Sequence, residues 1–331
     1  MNIGNNSNIL GDVCLVSFIV RSPSSSYIRS TITASVVNIV LAVAGTILNS
    51  FVLFIFWKSA RLRSKLSSFA IMLLCLIDIG VGTVVNPLFV LKSITMLDSP
   101  KCLYIVAYNI VLLFFSGISG CTLLIVNIER YFAIIHPILH RIHFTKGRFV
   151  LTWTFFWFFV IVWIGCSVYF PFVAEVIISV TICIVVLTSL FTYVAIYVVA
   201  RKKMSKRNEV HSNIDQESRR NSMAFLRELK MAKNFVLVVS LCFLCYLPTV
   251  VVYGIANNFK RDKLPDSVVH AWDWTATLVS MNSTLNCLIF FWGNRELRKE
   301  GSKILKKCFH RQEDQQFELN VVQMRERQGK R

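Results

Sequence analysis

Residues 31–57 read TITASVVNIVLAVAGTILNSFVLFIFW, a run of 27 positions without one charge, and this stretch decides the fold. A helix needs roughly 20 mostly apolar residues to cross about 30 Å of hydrocarbon. In lipid only structures that satisfy every backbone polar group internally survive. Outward from this run, six further apolar stretches follow at about 66–91, 102–129, 149–170, 175–200, 231–256 and 269–292. The chain of 331 residues is 55% hydrophobic and only 16% charged, too few charges for a soluble domain of that length. The expected fold is an all-α membrane protein: a seven-transmembrane helix bundle over 31–292, with no room for a second domain. An N-terminal tail, 1–30, precedes it. A short amphipathic eighth helix, 293–309, follows, and then a polar tail, 310–331, whose composition reads as disordered.

Orientation follows from the basic residues, because short cytoplasmic loops collect Lys and Arg. There are 4 in 58–65, 4 in 130–148, 10 in 201–233 and 11 after 294, leaving 7 of the 36 for the alternate gaps. The N-terminus is therefore expected outside and the C-terminus inside, in a multi-pass protein of the plasma membrane. On this reading the net charge of +18 is a topology signal with attraction to anionic inner-leaflet lipid, and no nucleic acid partner is implied. No basic n-region precedes the short apolar run 13–20, so the first span is expected to act as its own insertion signal. Asn5-Asn6-Ser7 is a glycosylation sequon on the outer side.

Seven of the ten cysteines, Cys75, Cys121, Cys166, Cys183, Cys242, Cys245 and Cys287, fall in or beside apolar spans, where a thiol serves as a small packing residue. Cys14 and Cys102 face the oxidising side, and a disulfide between them would tie the N-terminal tail to the third span. No His/Cys cluster suggests a structural metal.

Polar residues inside a membrane are costly, face the bundle interior and mark function. In chain order they are Asn49, Asp78, Ser119, the triplet Glu129-Arg130-Tyr131, and Asn282-Ser283 with Asn286; Trp157 and Cys245-Tyr246-Leu247-Pro248 complete the pattern.

With these residues in this order, the chain resembles the rhodopsin-like G-protein-coupled receptors over nearly its whole length. The matching motifs are Gly45-xxx-Asn49, Leu74-xxx-Asp78, Glu129-Arg130-Tyr131-Phe132-Ala133-Ile134 with Pro137, Trp157, Tyr193-xx-Ile196, Cys245-xx-Pro248 and Asn282-Ser283-xx-Asn286. The resemblance implies a receptor that catalyses nucleotide exchange on a heterotrimeric G protein, with arrestin and a receptor kinase as further partners. It implies that Arg130 pairs with Glu228 at the start of the sixth helix and holds that helix inward. It also implies that Pro248 supplies the kink for an outward swing, and that Tyr193 moves in to hold Arg130 in the open state. The competing reading has Arg130 snorkelling to headgroups and Glu228 solvated. Asp78, Ser119, Asn282 and Asn286, beside Asn49, match the family's sodium pocket, and a carboxylate with hydroxyl and amide oxygens is hard-cation chemistry. Hydrogen bonding of Asp78 to Asn49 and Asn286 without an ion is the alternative.

The departures from the family pattern carry information too. Asn286-Cys287-Leu288-Ile289-Phe290 lacks the family's proline and tyrosine, Tyr246 replaces a tryptophan, and Val185 replaces the proline of the fifth span. The link around Tyr169-Phe170-Pro171-Phe172 is short and has no cysteine, and Cys102 sits about one turn early, so the family's outer disulfide is expected to be missing. This combination is similar to the melanocortin, cannabinoid, lysophospholipid and adenosine branch.

Leu112 stands where amine receptors keep an aspartate, and no lysine lies between Lys263 and Lys299 to hold a retinal. Leu88, Ile105 and Asn109 stand where melanocortin receptors keep acids. The pocket expected from these places is lined by Tyr108, Asn109, Leu112, Tyr246, Tyr253 and Asp273, with Trp272, Trp274, His270 and Lys92 at its rim. An apolar lining with few polar anchors suits a small amphipathic or lipid-like ligand; the same residues also suit ordinary helix packing. Ser222, after Arg219-Arg220-Asn221, is a candidate phosphorylation site, and Cys308, beside the apolar face Leu297, Ile304, Leu305 and Phe309, a candidate palmitoylation site.

Two other classes compare less well. A transporter is expected to show an internal repeat with paired helix breaks, and neither is present. A receptor-shaped scaffold that recruits arrestin without coupling would fit Cys287 and Phe290. No nucleophile–base constellation or phosphate loop points to an enzyme.

Overall fold

The structure is a computed structural model that describes residues 24–98, 101–169, 171–209, 237–252, 254–256 and 265–307. The described chain is helical: α1 (Ser25–Lys58), α2 (Leu66–Asp98), α3 (Cys102–Ile135), α4 (Lys146–Tyr169), α5 (Pro171–Glu209), α6 (Leu237–Ala256), α7 (Asp266–Gly293) and α8 (295–307). Two short helices, Ala60–Ser64 and Pro137–His143, lie in the connections. Among the described residues five helices, α1, α2, α3, α4 and α6, are long and apolar enough to cross a membrane. Within α5 the described apolar stretch is the shorter Cys183–Val199.

The helix ends follow local chemistry. Ser24 caps α1, its Oγ accepting from the Tyr27 backbone N–H at 3.2 Å, so the helix starts six residues before the apolar run at 31. α3 runs through the Glu129-Arg130-Tyr131 triplet and stops at Ile135, ahead of Pro137, because the residue before a proline avoids helical backbone. α4 ends at Tyr169 and α5 begins at Pro171, confirming a very short link; proline suits a first helical turn, where its missing N–H costs nothing. Asn294 caps α8, its Oδ1 accepting from the N–H groups of Glu296 at 3.1 Å and Leu297 at 3.2 Å.

α2 departs from the sequence expectation. It passes 91 and continues to Asp98, with a π-helical segment, Val81–Val85, in its middle. Pro87 explains the segment: its ring would clash with the carbonyl of Thr83 in a regular α-helix, and a wider turn relieves that clash. Lys92 is consequently a helix residue 5% exposed, rather than a loop or rim residue.

The packing is that of a bundle whose solvent is apolar. Ile32, Val36, Ile39, Val40, Val43 and Ile47 of α1 and Leu151, Phe155 and Phe158 of α4 are all exposed. The interior holds Asn49, Asp78, Glu129, Arg130 and Asn286. One large core gathers Val52, Ile55, Phe56, Leu74, Val126, Val238, Cys287, Phe290 and Leu297. Helices are also joined by buried side-chain hydrogen bonds, as expected where lipid gives little hydrophobic drive to associate. Asn38 Nδ2 donates to Thr277 Oγ1 at 2.8 Å between α1 and α7, Asn127 Nδ2 to Ser189 Oγ at 2.6 Å between α3 and α5, and Trp153 Nε1 to Thr122 Oγ1 at 2.9 Å between α4 and α3.

Candidate functional site

At one end of the bundle Arg130, 2% exposed, is bound by Glu129, 0% exposed, through a two-point contact: Nε to Oε2 and Nη2 to Oε1. His140, on the connecting helix Pro137–His143, places Nε2 2.8 Å from the same Oε1. The fork of two parallel N–H···O contacts is the strong geometry for guanidinium and carboxylate. Tyr131 packs its ring against Phe191 of α5 at 5.6 Å. Tyr193 is exposed and stacks on Tyr197. Pro248 lies within α6, whereas Glu228 and Ser222 lie outside the described residues.

In the middle of the bundle Asp78, Ser119, Asn282 and Asn286 are all buried, as is Asn49. Asp78 Oδ1, Ser119 Oγ, Asn282 Oδ1, Asn286 Oδ1 and Asn49 Oδ1 lack a hydrogen-bond partner. Buried oxygens left unpartnered are costly. A set made only of carboxylate, hydroxyl and amide oxygens is what a hard cation prefers, so the residues present fit sodium.

Toward the other end four of the six expected pocket residues divide between two places. Asp273 is 3% exposed and bonded to Lys92, Nζ to Oδ1 at 2.8 Å, with the Tyr27 hydroxyl donating to Oδ2 at 3.4 Å. The ammonium also lies 5.1 Å from the ring centre of Tyr108 and 5.2 Å from that of Phe89, a cation–π arrangement. The Tyr108 hydroxyl is buried and unpartnered. Asp273 is thus the counter-ion of Lys92 and not an open anchor for a ligand. Trp274 donates from Nε1 to Ser30 Oγ at 3.0 Å, and His270 packs edge-on to Tyr27 at 5.3 Å, so these two of the expected rim residues tie α7 to α1.

Leu112 and Tyr246 belong elsewhere, to a chamber of about 1030 Å³, its open mouth included, between α3, α4, α5 and α6. Gly120, Trp163, Phe159 and Thr249 also line it. Asn109 is not among its described lining residues, and Tyr253 lies outside the described residues. Cys102 is disulfide-bonded; Cys14, the partner read from the sequence, lies outside the described residues, as do Asn5 and Cys308.

Three features were not found from sequence. Lys92 was legible in principle, since an acid within the seventh span needs a counter-ion and Lys92 follows an apolar run. His140 depends on the turn at His136, and the chamber depends on which side chains of separate helices meet.

Residues 48–290, well over half of the chain, match the family profile of the 7 transmembrane receptor (rhodopsin family). The chain belongs to that family. No curated protein matches it.

Proposed function

We propose that the protein is a ligand-activated receptor of the plasma membrane, seven-spanning with its N-terminus outside, that catalyses nucleotide exchange on a heterotrimeric G protein. The observation that carries this reading is Arg130: a buried guanidinium, held two-point by Glu129 at the end of α3, at the place where the family keeps its coupling arginine. A charge held this way is a two-state element, because releasing it requires a new partner for each side. In the resting state Arg130 is sequestered, with Glu228 as a further holder. Agonist binding shifts the population to a state in which α6 swings out at Pro248, Tyr193 turns in and the G protein reaches Arg130.

Sodium at Asp78, Ser119, Asn282 and Asn286 would favour the resting state by supplying a counter-charge to the Asp78 carboxylate. α8 lies along the membrane surface, with Cys308 available for palmitoylation. Asn5 is glycosylated, Cys14 pairs with Cys102, and phosphate on Ser222 would reverse the charge beside the coupling surface. Arrestin and receptor kinase come with the family. The short link between α4 and α5 supports a kinship with the melanocortin, cannabinoid, lysophospholipid and adenosine branch.

The test is ligand-free signalling of surface-expressed protein across a panel of Gα biosensors. Glu228→Ala is expected to raise the signal in one Gα class and Arg130→Ala to abolish it. If wild type and both variants are silent with every Gα, also after a ligand has been found, the scaffold reading takes its place. Cys287 and Phe290, both 2% exposed in the core where the family has proline and tyrosine, would then mark the loss of coupling.

A further inference from the structure

We infer that His140 is a proton-operated clasp on Arg130: a proton taken up from the cytosol charges the imidazole beside Glu129, holds the Glu129–Arg130 pair shut and makes the receptor less active in acid than in alkali. The inference deepens the proposed receptor reading. It rests on that reading for which end is cytosolic and for the link from Arg130 to signalling.

The Glu129 side chain is sealed at 0% exposure, while the His140 side chain against it is 23% exposed. One partner is shut in the interior and the other stays within reach of water, so a proton can come and go on the imidazole without opening the bundle. The ring is held in place by its surroundings. The His140 backbone N–H donates to the His136 carbonyl at 2.9 Å, closing the first turn of the helix Pro137–His143. The imidazole stacks on Phe144, 5.2 Å between centres and 18° between planes, and Phe144 in turn packs on Phe132 of α3 at 5.2 Å. Nε2 is thereby kept 2.8 Å from Glu129 Oε1.

An ionised carboxylate only accepts, and each of its oxygens can take more than one hydrogen bond, so Oε1 serves His140 and Arg130 Nη2 together. Neutral His140 donates from Nε2; a proton on Nδ1 turns that contact into a charge-assisted one, roughly twice as strong. Histidine is the side chain whose charge ordinarily changes between about pH 5 and pH 8. Apart from Tyr131, the other titratable groups about the ring among the described residues are basic. They are Arg130 and His136 from α3 and its end, Arg141 and His143 on the same short helix, Lys146 and Arg148 at the start of α4, and Arg63 before α2. All of these bases oppose the proton. Arg130, however, is neutralised by Glu129, and the rest are exposed, where solvent and salt screen them. Arg148 Nη1 is engaged by the carbonyls of Ile142 and His143, each at 3.3 Å, and Lys146 Nζ by that of Arg63 at 2.6 Å. Glu129 alone meets the ring at hydrogen-bond distance, and it decides the sign.

The contact belongs to the resting state and is lost when Arg130 is released, so the resting state holds the proton more tightly. Acid therefore favours the resting state, and this contribution fades as the pH rises. By reciprocity, an agonist that opens the receptor expels the proton. A tether without a pH role would need only a neutral donor, which glutamine also supplies.

Two measurements on the full-length protein separate the clasp from its consequence. In phosphatidylcholine nanodiscs, with no G protein, the histidine 13Cε1 NMR signal that vanishes in His140→Gln is titrated; the chain has six histidines, so the spectrum is sparse. His140 is expected to take up its proton at about tenfold lower proton concentration in wild type than in Glu129→Gln, because an adjacent carboxylate favours the charged ring. An equal midpoint in the two overturns the clasp. In cells, ligand-free Gα signal above that of Arg130→Ala is followed with the cytosol clamped at steps from about pH 8 to pH 6. Wild type is expected to fall about threefold toward acid. His140→Gln is expected to be flat, whereas His136→Gln and His143→Gln keep the wild-type slope. A slope as steep in His140→Gln as in wild type, or a signal that rises in acid, overturns the proposal. Glu129-dependent proton uptake with no Gα response at any pH would leave the clasp standing and count against the receptor reading alone.

Discussion

Lys92 Nζ lies 2.8 Å from Asp273 Oδ1, in a pair nearly closed to solvent that fastens the far half of α2 to α7. Two charges removed from water are held together by each other, by the Tyr27 hydroxyl and by the rings of Tyr108 and Phe89. Removing one partner strands the other, at a cost of about 3–5 kcal/mol, whereas replacing both with apolar groups of similar volume is often neutral or favourable. Lys92→Ala and Asp273→Ala are each expected to lower the melting temperature of the detergent-solubilised protein by several degrees. The double variant Lys92→Met with Asp273→Leu is expected to recover most of that loss. A double variant as unstable as the sum of two singles would show that the two side chains do not act as a pair.

Glu129 serves two donors at once, Arg130 through both oxygens and His140 through Oε1. Glu129→Gln keeps the shape and removes the charge, so it weakens the hold on Arg130 more than any change at His140 can. Ligand-free Gα signalling is expected to rise severalfold in Glu129→Gln and by a smaller factor in His140→Ala. Arg130→Ala combined with either is expected to be silent, because the group being released is gone. Biosensor signal normalised to surface expression settles the order, and a larger effect at His140 than at Glu129 would reverse the proposed roles.

These two relationships also show what could be read from sequence. The bundle was legible from residues 31–57 onward because hydrocarbon thickness fixes span length. The motif residues were legible because an intramembrane polar residue such as Asn49, Asp78 or Asn286 has to face inward. What escaped was set by geometry across helices. Lys92 looked like a loop residue because composition does not reveal that Pro87 is absorbed by a π segment and the helix continues to Asp98. From sequence alone Tyr108 and Asp273 fall into one pocket with Leu112 and Tyr246, while the folded chain uses the first two to seat an ammonium ion. Gly120 and Gly117 look alike in sequence; only the position of Val160 separates them.

Asp78, Ser119, Asn282, Asn286 and Asn49 each keep a buried oxygen that has no hydrogen-bond partner. If sodium satisfies them, the protein should be more resistant to heat in sodium chloride than in choline chloride at equal ionic strength. Ligand-free signalling should be lower in sodium as well. Asp78→Asn removes the charge while keeping an amide of the same size, and both differences are expected to vanish in that variant. A salt difference that persists in Asp78→Asn would assign the ion effect to another place.

The glycines offer a test of the helix packing itself, independent of signalling. At Gly82 an added Cβ would come 2.4 Å from Thr46 Oγ1 and 3.1 Å from the backbone oxygen of Ala42, so α1 and α2 meet there too closely for alanine. Thr46 can rotate, but the Ala42 carbonyl is fixed in the ladder of α1, and relief requires the helices to part. Overpacking of this kind costs about 1–3 kcal/mol. At Gly120 nothing stands in the way, and alanine is a better helix former than glycine by up to about 1 kcal/mol. Gly82→Ala is therefore expected to melt below wild type and Gly120→Ala at or above it. Both variants make the same chemical change inside a transmembrane helix, so the lipid or detergent contributes alike to each. If Gly82→Ala proved as stable as wild type, the close approach of α1 to α2 would be wrong; if Gly120→Ala proved the weaker, the chamber beside it would not be there.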